Sequence, residues 1–216
     1  MTLPIVIIGA GGHAAVVADA LLASGQRVLG FTDADPSRHT RTLCGLPVLG
    51  DDRALEAHSP ATLALANGIG GVGAGSAVAR RSMQARMSAL GWQFVTVRHP
   101  SAVVSPFARI GRGAQMLAAS VVQVGAAVGE GCIVNTAAVV EHDVVLGDFT
   151  HVAPGAVVCG DVAIGARSHV GAGAIVRQGV RLGGDTLVGA GAVVVRDFAG
   201  GGVLVGVPAR IMTREP

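Results

Sequence analysis

Hydrophobic positions in the second half of the chain recur every six residues. Beginning at Val104, the series Val104, Ile110, Met116, Val122, Val128, Val134, Val140, Leu146, Val152, Val158, Ile164, Val170, Val176, Leu182, Val188 and Val194 is apolar throughout. The residue four places further on, from Ala108, Ala114 and Ser120 to Val180, Thr186 and Ala192, is never large. A period of two marks a strand and a period of 3.6 a helix; a strict six fits neither alone. It fits a coil of three short flat strands joined by turns, each hexad sending one aliphatic side chain into a narrow triangular interior. Gly111, Gly129, Gly147, Gly165 and Gly183 recur every eighteen residues, which is three hexads and so one circuit. Residues n and n+18 are expected to stack about 4.8 Å apart, the spacing of paired strands. Residues 104–193 supply five such coils, each stabilised mainly by its neighbours.

The first hundred residues carry a different pattern. Leu3 to Ile8 reads as a buried strand, Gly9-Ala10-Gly11-Gly12-His13 as a glycine-rich turn, and Ala14 to Leu22 as a helix. Val28 to Phe31 is a second strand, ending in Thr32-Asp33-Ala34-Asp35-Pro36. Strand, glycine-rich turn, helix, strand and acid is the Rossmann-like order. Glycines at a helix start let the backbone approach a phosphate, which the free N–H groups and the helix dipole favour. An acid ending the second strand can accept hydrogen bonds from a ribose or a base. Ala14 breaks the Gly-x-Gly-x-x-Gly spacing, which argues against an NAD site. A third strand, Thr62 to Ala66, runs into Asn67-Gly68-Ile69-Gly70-Gly71, followed by helical spacing from Ala77 to Leu90 and a short strand from Phe94 to Val97. The expectation is an α/β Rossmann-like unit over residues 1–97 and an all-β parallel β-helix over residues 98–216.

Composition narrows the possibilities. Half of the 216 residues are hydrophobic but only 3% are aromatic, with 33 glycines and no tyrosine. Such a core is built from thin aliphatic layers. All sixteen basic residues are arginines, the longest run is Arg80-Arg81, and the net charge is +2. That is a solvated surface and no nucleic-acid footprint. Cys44, Cys132 and Cys159 have no metal-type spacing and read as small buried fillers in a reducing compartment. The start of the chain lacks a signal-peptide pattern, and no apolar run approaches the roughly 18 residues of a membrane span. A cytoplasmic protein is expected.

The motifs Gly9-Ala10-Gly11-Gly12-His13, His99-Pro100-Ser101-Ala102, Asn135-Thr136, Glu141-His142-Asp143, His151-Val152 and Gly206-Val207-Pro208-Ala209 together resemble the hexapeptide-repeat sugar acetyltransferases. These are the bacterial enzymes that modify UDP-4-amino-4,6-dideoxy sugars and GDP-perosamine, with sialic-acid O-acetyltransferases as relatives. The resemblance spans essentially the whole chain. It implies a left-handed β-helix, an active homotrimer with sites at subunit interfaces, and acetyl-CoA as co-substrate without a metal. It also implies a nucleotide-linked amino sugar on the N-terminal unit, with Gly11, Gly12 and His13 near the phosphates, Asp33 and Ala34 near the nucleoside, and Gly70 and Gly71 beside it. Ala15 stands where some members carry a lysine.

Acetyl transfer from a thioester needs a base near neutral pH, and His142 is suited to that role. A carboxylate on its other ring nitrogen would fix the tautomer. Glu141 and Asp143 both flank it, and the resemblance assigns the role to Asp143. The eighteen-residue period stacks Gly160 on His142, where a glycyl N–H is suited to stabilise an oxyanion; the resemblance places the same residue there. It further implies His151 beside the thioester or pantetheine arm, Ala172 and Ala190 along the cofactor groove, and Asn135 in the substrate site. His169, one circuit after His151, reads as an outward-facing polar residue. The expected activity is N-acetylation of the sugar 4-amino group by direct transfer. Three alternatives are O-acetylation of a sialic acid or other sugar, a zinc hydratase using His142, His151 and His169, and a non-catalytic nucleotide-sugar scaffold.

Overall fold

The computed structural model describes residues 3–71 and 73–212. Residues 1–2 and 213–216, the ends of the two expected units, lie outside the described residues. The chain begins with β1 (Ile5–Ile8), α1 (Gly12–Ala23) and β2 (Val28–Thr32), followed by a small hairpin of β3 (Thr42–Leu43) and β4 (Leu46–Pro47). Then come β5 (Ala64–Asn67), α2 (Gly73–Ala89) and β6 (Val97–Arg98). The parallel sheet has the order β2-β1-β5. Its central strand is buried on both faces, as a continuous apolar run in a parallel sheet requires. Met83 and Met87 of α2 pack on one face with Val6, Ile8, Leu65, Trp92 and Phe94. Val17, Ala18 and Leu21 of α1 pack on the other with Ile5, Ile7 and Phe31.

From Val103 onward the chain winds into a parallel β-solenoid of about six turns, built from two-residue strands. The first face stacks Val103–Val104, Val121–Val122, Val139–Val140, Val157–Val158, Ile175–Val176 and Val193–Val194. The second begins at Arg109–Ile110 and the third at Gln115–Met116. Register advances by eighteen residues per circuit, as in Val121↔Val139↔Val157. The hexad anchors fill the interior, from Met116 at 2% exposure to Val194 at 3%; Val104 and Ile110, at the open lower end, are only partly buried. The small residues four places on, such as Ala126, Ala138 and Ala156, are fully buried at the corners.

The structure extends the five expected coils with a shortened sixth. Leu187 pairs with Val203 and Leu182 bridges Phe198, both sixteen residues on. Two residues are missing from the last circuit, so the hexad period stops where the sequence shows it stopping. At the lower end β6 pairs with Gln115–Met116 and joins the third face. The two units share packing as well: Val97, Leu117 and Ile133 belong to the same buried cluster as Ile5, Val17 and Phe31. Cys132 is buried, but Cys44 is exposed and Cys159 only partly covered. The expectation of three buried fillers therefore holds for one cysteine. Cys44 falls on the β3–β4 hairpin turn, where φ is +53°, and no core exists there to receive it.

Candidate active site

His142 and Asp143 lie in the turn between the first and second faces of the solenoid. Asp143 adopts φ +60°, a left-handed conformation that Asp tolerates better than most residues. Its Oδ2 stands 3.0 Å from His142 Nδ1. Glu141 accepts from the His142 backbone N–H at 3.3 Å, so Asp143 is the carboxylate on the ring. The Asp143 hydrogen bond holds the His142 pKa above its usual value, with Asp143, Glu141 and Asp161 adding negative potential. A carboxylate only accepts, so Nδ1 carries the ring proton and Nε2 is bare in the neutral form.

Gly160 stacks on His142, one circuit later. A Cβ placed on Gly160 would lie 2.4 Å from His142 Nε2 and 2.6 Å from Cε1. The imidazole therefore rests directly on the glycyl backbone, and only hydrogen leaves room for it. Asp161 follows, with Oδ1 2.9 Å from Arg181 Nη2.

A second constellation occupies the third face and the corner that follows it. His151 and His169 are successive rungs, their rings edge-to-face at 4.8 Å. Both are buried, at 7% and 6% exposure; His169 faces outward as expected, but it is packed and not solvated. Each ring points out of the solenoid, but the N-terminal unit lies against this face and removes the solvent. Asn135 Nδ2 meets His151 Nε2 at 3.0 Å. Asn135 is thus joined to His151, a different constellation from His142. Burial, helped by His169 and the buried Arg80, pushes His151 down to about 3, so it stays neutral. Its Nδ1 is buried without a hydrogen-bond partner of good geometry among the described residues. His151, Ala153, Pro154, His169, Ala172 and Ala190 line one apolar groove of about 280 Å³. Three candidate cofactor residues, His151, Ala172 and Ala190, thus line a single cavity, while Gly160 stands with His142 at another edge of the prism.

The nucleotide candidates separate into two groups. Asp33 and Ala34 line a cavity of about 310 Å³ at the carboxyl ends of β1 and β2, with Thr32, Asp52, Met83 and Arg86. Asp33 is already engaged: Oδ2 accepts from the Ala10 N–H at 2.7 Å and from Arg38 at 3.0 Å, and Oδ1 accepts from the Asp35 N–H at 2.9 Å. Burial pushes its pKa up, but the Asp35 and Ala10 hydrogen bonds and Arg38 outweigh that and hold it below the usual value. Gly11 caps α1 without a side-chain hydrogen bond. His13 turns away from that cap toward the solenoid, with Nε2 2.8 Å from Gln115 Oε1. Its Cβ lies 2.5 Å from where a Gly70 side chain would begin. Gly71 is exposed and its backbone lies beside the His151 ring.

Sequence reasoning passed over Arg38, Arg80, Asp52, Arg86 and Gln115. Arg80 is 2% exposed, and its Nη2 donates to the Phe149 carbonyl at 2.6 Å. Asp52 accepts from Thr32 at 2.9 Å and from Arg86 at 2.5 Å. None of these stands in a motif, and except for Arg38, whose partners are Asp33 and Asp35, their partners are far away along the chain. No group of three or more His, Cys, Asp or Glu able to hold a metal occurs among the described residues. His151 and His169 stack while His142 stands at another edge, so a single chain does not bring the three histidines of the hydratase alternative together. No helix among the described residues is long and apolar enough to cross a membrane.

A hexad solenoid carrying a carboxylate-bound histidine over a glycine, joined to an α/β unit, defines a hexapeptide-repeat acyltransferase. Residues 4–84 match the family described as the PglD N-terminal domain. The acetyltransferase domain of PglB from Neisseria gonorrhoeae is 37% identical, with TM-score 0.89, covering 98% of this chain and 100% of that one. PerB from Caulobacter crescentus, solved with CoA and GDP-perosamine, is 40% identical, with TM-score 0.89 and 97% of each chain covered. A histidine variant of the Caulobacter crescentus perosamine N-acetyltransferase, also with CoA and GDP-perosamine, matches at 41% identity and TM-score 0.90, again covering 97% of each. No curated protein sequence matches. The chain belongs to the hexapeptide-repeat sugar N-acetyltransferase family.

Proposed function

We propose that the protein transfers the acetyl group of acetyl-CoA to the 4-amino group of a nucleotide-linked 4-amino-4,6-dideoxy sugar. The observation that carries this reading is the bare His142 Nε2, held by Asp143 on Nδ1 and resting on Gly160. A base so placed takes a proton from the attacking amine as the N–C bond forms. The tetrahedral oxyanion is met by the Gly160 N–H. Collapse breaks the C–S bond, and His142 returns the proton to the sulfur of CoA. The apolar groove lined by His151, Ala172 and Ala190 suits a pantetheine arm. The cavity at Asp33 and Ala34 suits the nucleoside, with the α1 N-terminus at Gly11 and Gly12 next to it for the phosphates. Asn135 and Gly71 both lie beside His151, at one end of the apolar groove's lining.

His142 stands on the turn between the first and second faces, whereas the groove follows the third. In a threefold assembly the His142 edge of one copy would pack against the groove of the next, and three composite sites would result. N-acetylation is preferred over O-acetylation because the relatives include a perosamine N-acetyltransferase solved with its nucleotide amino sugar.

The test is CoA release with UDP-, GDP- and dTDP-linked 4-amino-4,6-dideoxy sugars, with free sialic acid as the O-acetylation control. Turnover is expected with one nucleotide series. His142→Ala should lower kcat by about 10²–10⁴ while leaving nucleotide-sugar binding nearly intact. Near-normal turnover in that variant removes the proposed base.

A further inference from the structure

His13 is half-buried at the junction of the two units, and the atoms around it determine where its proton sits. Gln115, on the third face of the solenoid, is 2% exposed. Its Nε2 donates to the Asn67 backbone carbonyl at 2.6 Å. A main-chain carbonyl can only accept. Reversing the Gln115 amide would set two acceptor oxygens 2.6 Å apart, so the amide has one orientation. Gln115 Oε1 therefore faces His13 Nε2, 2.8 Å away, and Nε2 must be the protonated nitrogen.

The rest of the network agrees. The Asn67 side chain donates to Gln84 Oε1 at 3.3 Å and to the Arg80 carbonyl at 3.2 Å, and accepts from the Ile69 N–H at 3.1 Å. Gln84 Nε2 donates to Glu130 at 3.0 Å. Asn67, Gln84 and Gln115 are all buried, and every amide in the chain points one way. Burial lowers the His13 pKa, and the nearby Arg80 adds to this, against the hydrogen bond to Gln115. A neutral ring protonated on Nε2 has a bare Nδ1. That nitrogen has no partner among the described residues and is not sealed from solvent.

A bare ring nitrogen accepts hydrogen bonds and repels the oxygens of a phosphate. The cavity suited to the nucleoside lies on the Thr32–Asp33–Asp52 side of Gly9, whereas His13 leans toward the solenoid. A ligand that entered at that cavity and crossed the α1 N-terminus would reach His13 with its sugar end. We propose that Gln115 is a positioning residue that locks His13 in the Nε2–H tautomer, so that Nδ1 accepts a hydrogen bond from a hydroxyl or amine of the sugar. This rests on the nucleotide-sugar reading of the N-terminal unit. It moves His13 from the phosphates, where the family resemblance put it, to sugar recognition.

The protonation state is read directly from long-range ¹H–¹⁵N spectra of ¹⁵N-histidine-labelled enzyme, with His13 assigned by its loss in His13→Gln. A protonated Nε2 and a bare Nδ1 are expected, giving way to mixed tautomers in Gln115→Met. A protonated Nδ1 in the unaltered protein overturns the assignment. His13→Gln keeps a donor toward Gln115 and deletes the acceptor at Nδ1. It should raise KM for the nucleotide amino sugar about tenfold, the worth of one hydrogen bond, while the Kd values of free UDP, GDP and dTDP and KM for acetyl-CoA stay within about twofold. Equal losses for the sugar and the free diphosphates return His13 to the phosphates and overturn the proposal. Absence of CoA release from the unaltered enzyme with every nucleotide amino sugar overturns the functional reading instead. The tautomer measurement is independent of that outcome, so the two failures are distinguishable.

Discussion

At the scale of single residues, chemistry depends on which atoms are left free after the structure has used the rest. His142 spends Nδ1 on Asp143 and keeps Nε2. Asp33 spends both oxygens on Ala10, Asp35 and Arg38, so its larger role is to tie the glycine-rich turn to the loop after β2. Two predictions belong here. Gly160→Ala puts a methyl 2.4 Å from His142 Nε2; because Gly160 does not require positive φ, the fold should survive. Steady-state assays should show a fall in kcat of about 10²-fold, comparable to loss of an oxyanion donor, with a melting temperature little changed. The second concerns pH. The base works when unprotonated, and Asp143 raises its pKa above the ordinary 6.5. The acidic limb of kcat/KM for the unaltered enzyme should therefore lie above pH 6.5. Asp143→Asn removes the main cause, so the limb should move to lower pH while the plateau falls with the weaker base. A limb that does not move would show that His142 is not the titrating group.

At the scale of elements, a two-residue strand is too short to be stable alone, and each coil is held by the rungs above and below it. The interior is one aliphatic side chain wide per hexad, and no second layer is available to fill a gap. Ile164, 2% exposed, pairs through its strand with Val145–Leu146 below and Arg181–Leu182 above. Ile164→Ala should cost about 2–5 kcal/mol, read from urea unfolding, and should also loosen the turn just before it in its own coil, which carries Gly160 and Asp161. The hexad period made these strands readable because every circuit repeats the same chemical demand. The α/β elements were readable to within a few residues: Val28 to Phe31 became Val28–Thr32, and Thr62 to Ala66 became Ala64–Asn67. The β3–β4 hairpin was not anticipated, because it pairs only two residues per strand and leaves no periodic trace.

At the scale of the whole molecule, the two candidate constellations, His142 with Gly160 and the groove at His151, stand on edges of the prism that one chain keeps apart. If composite sites form between copies, two inactive variants should complement each other. Ala172→Trp fills the groove, and His142→Ala removes the base. Each homotrimer should be nearly inactive, whereas co-expressed chains should regain a measurable share of activity in mixed trimers, followed by CoA release after size separation. Failure of the mixture to exceed its parts would place the whole site within one chain. The sequence alone determined the solenoid and the stacking of Gly160 on His142, because a repeat of eighteen converts distance along the chain into distance in space, and its motifs, such as Glu141-His142-Asp143, carried the resemblance to the acyltransferase family. Tertiary structure decided what no local pattern encodes: the His151–Asn135 contact, the burial of His169 and Arg80, and the Gln115 amide that sets the His13 proton. Those features arise where the α/β unit lies on the third face of the solenoid. There solvent is excluded, and polar groups far apart in the chain must satisfy one another.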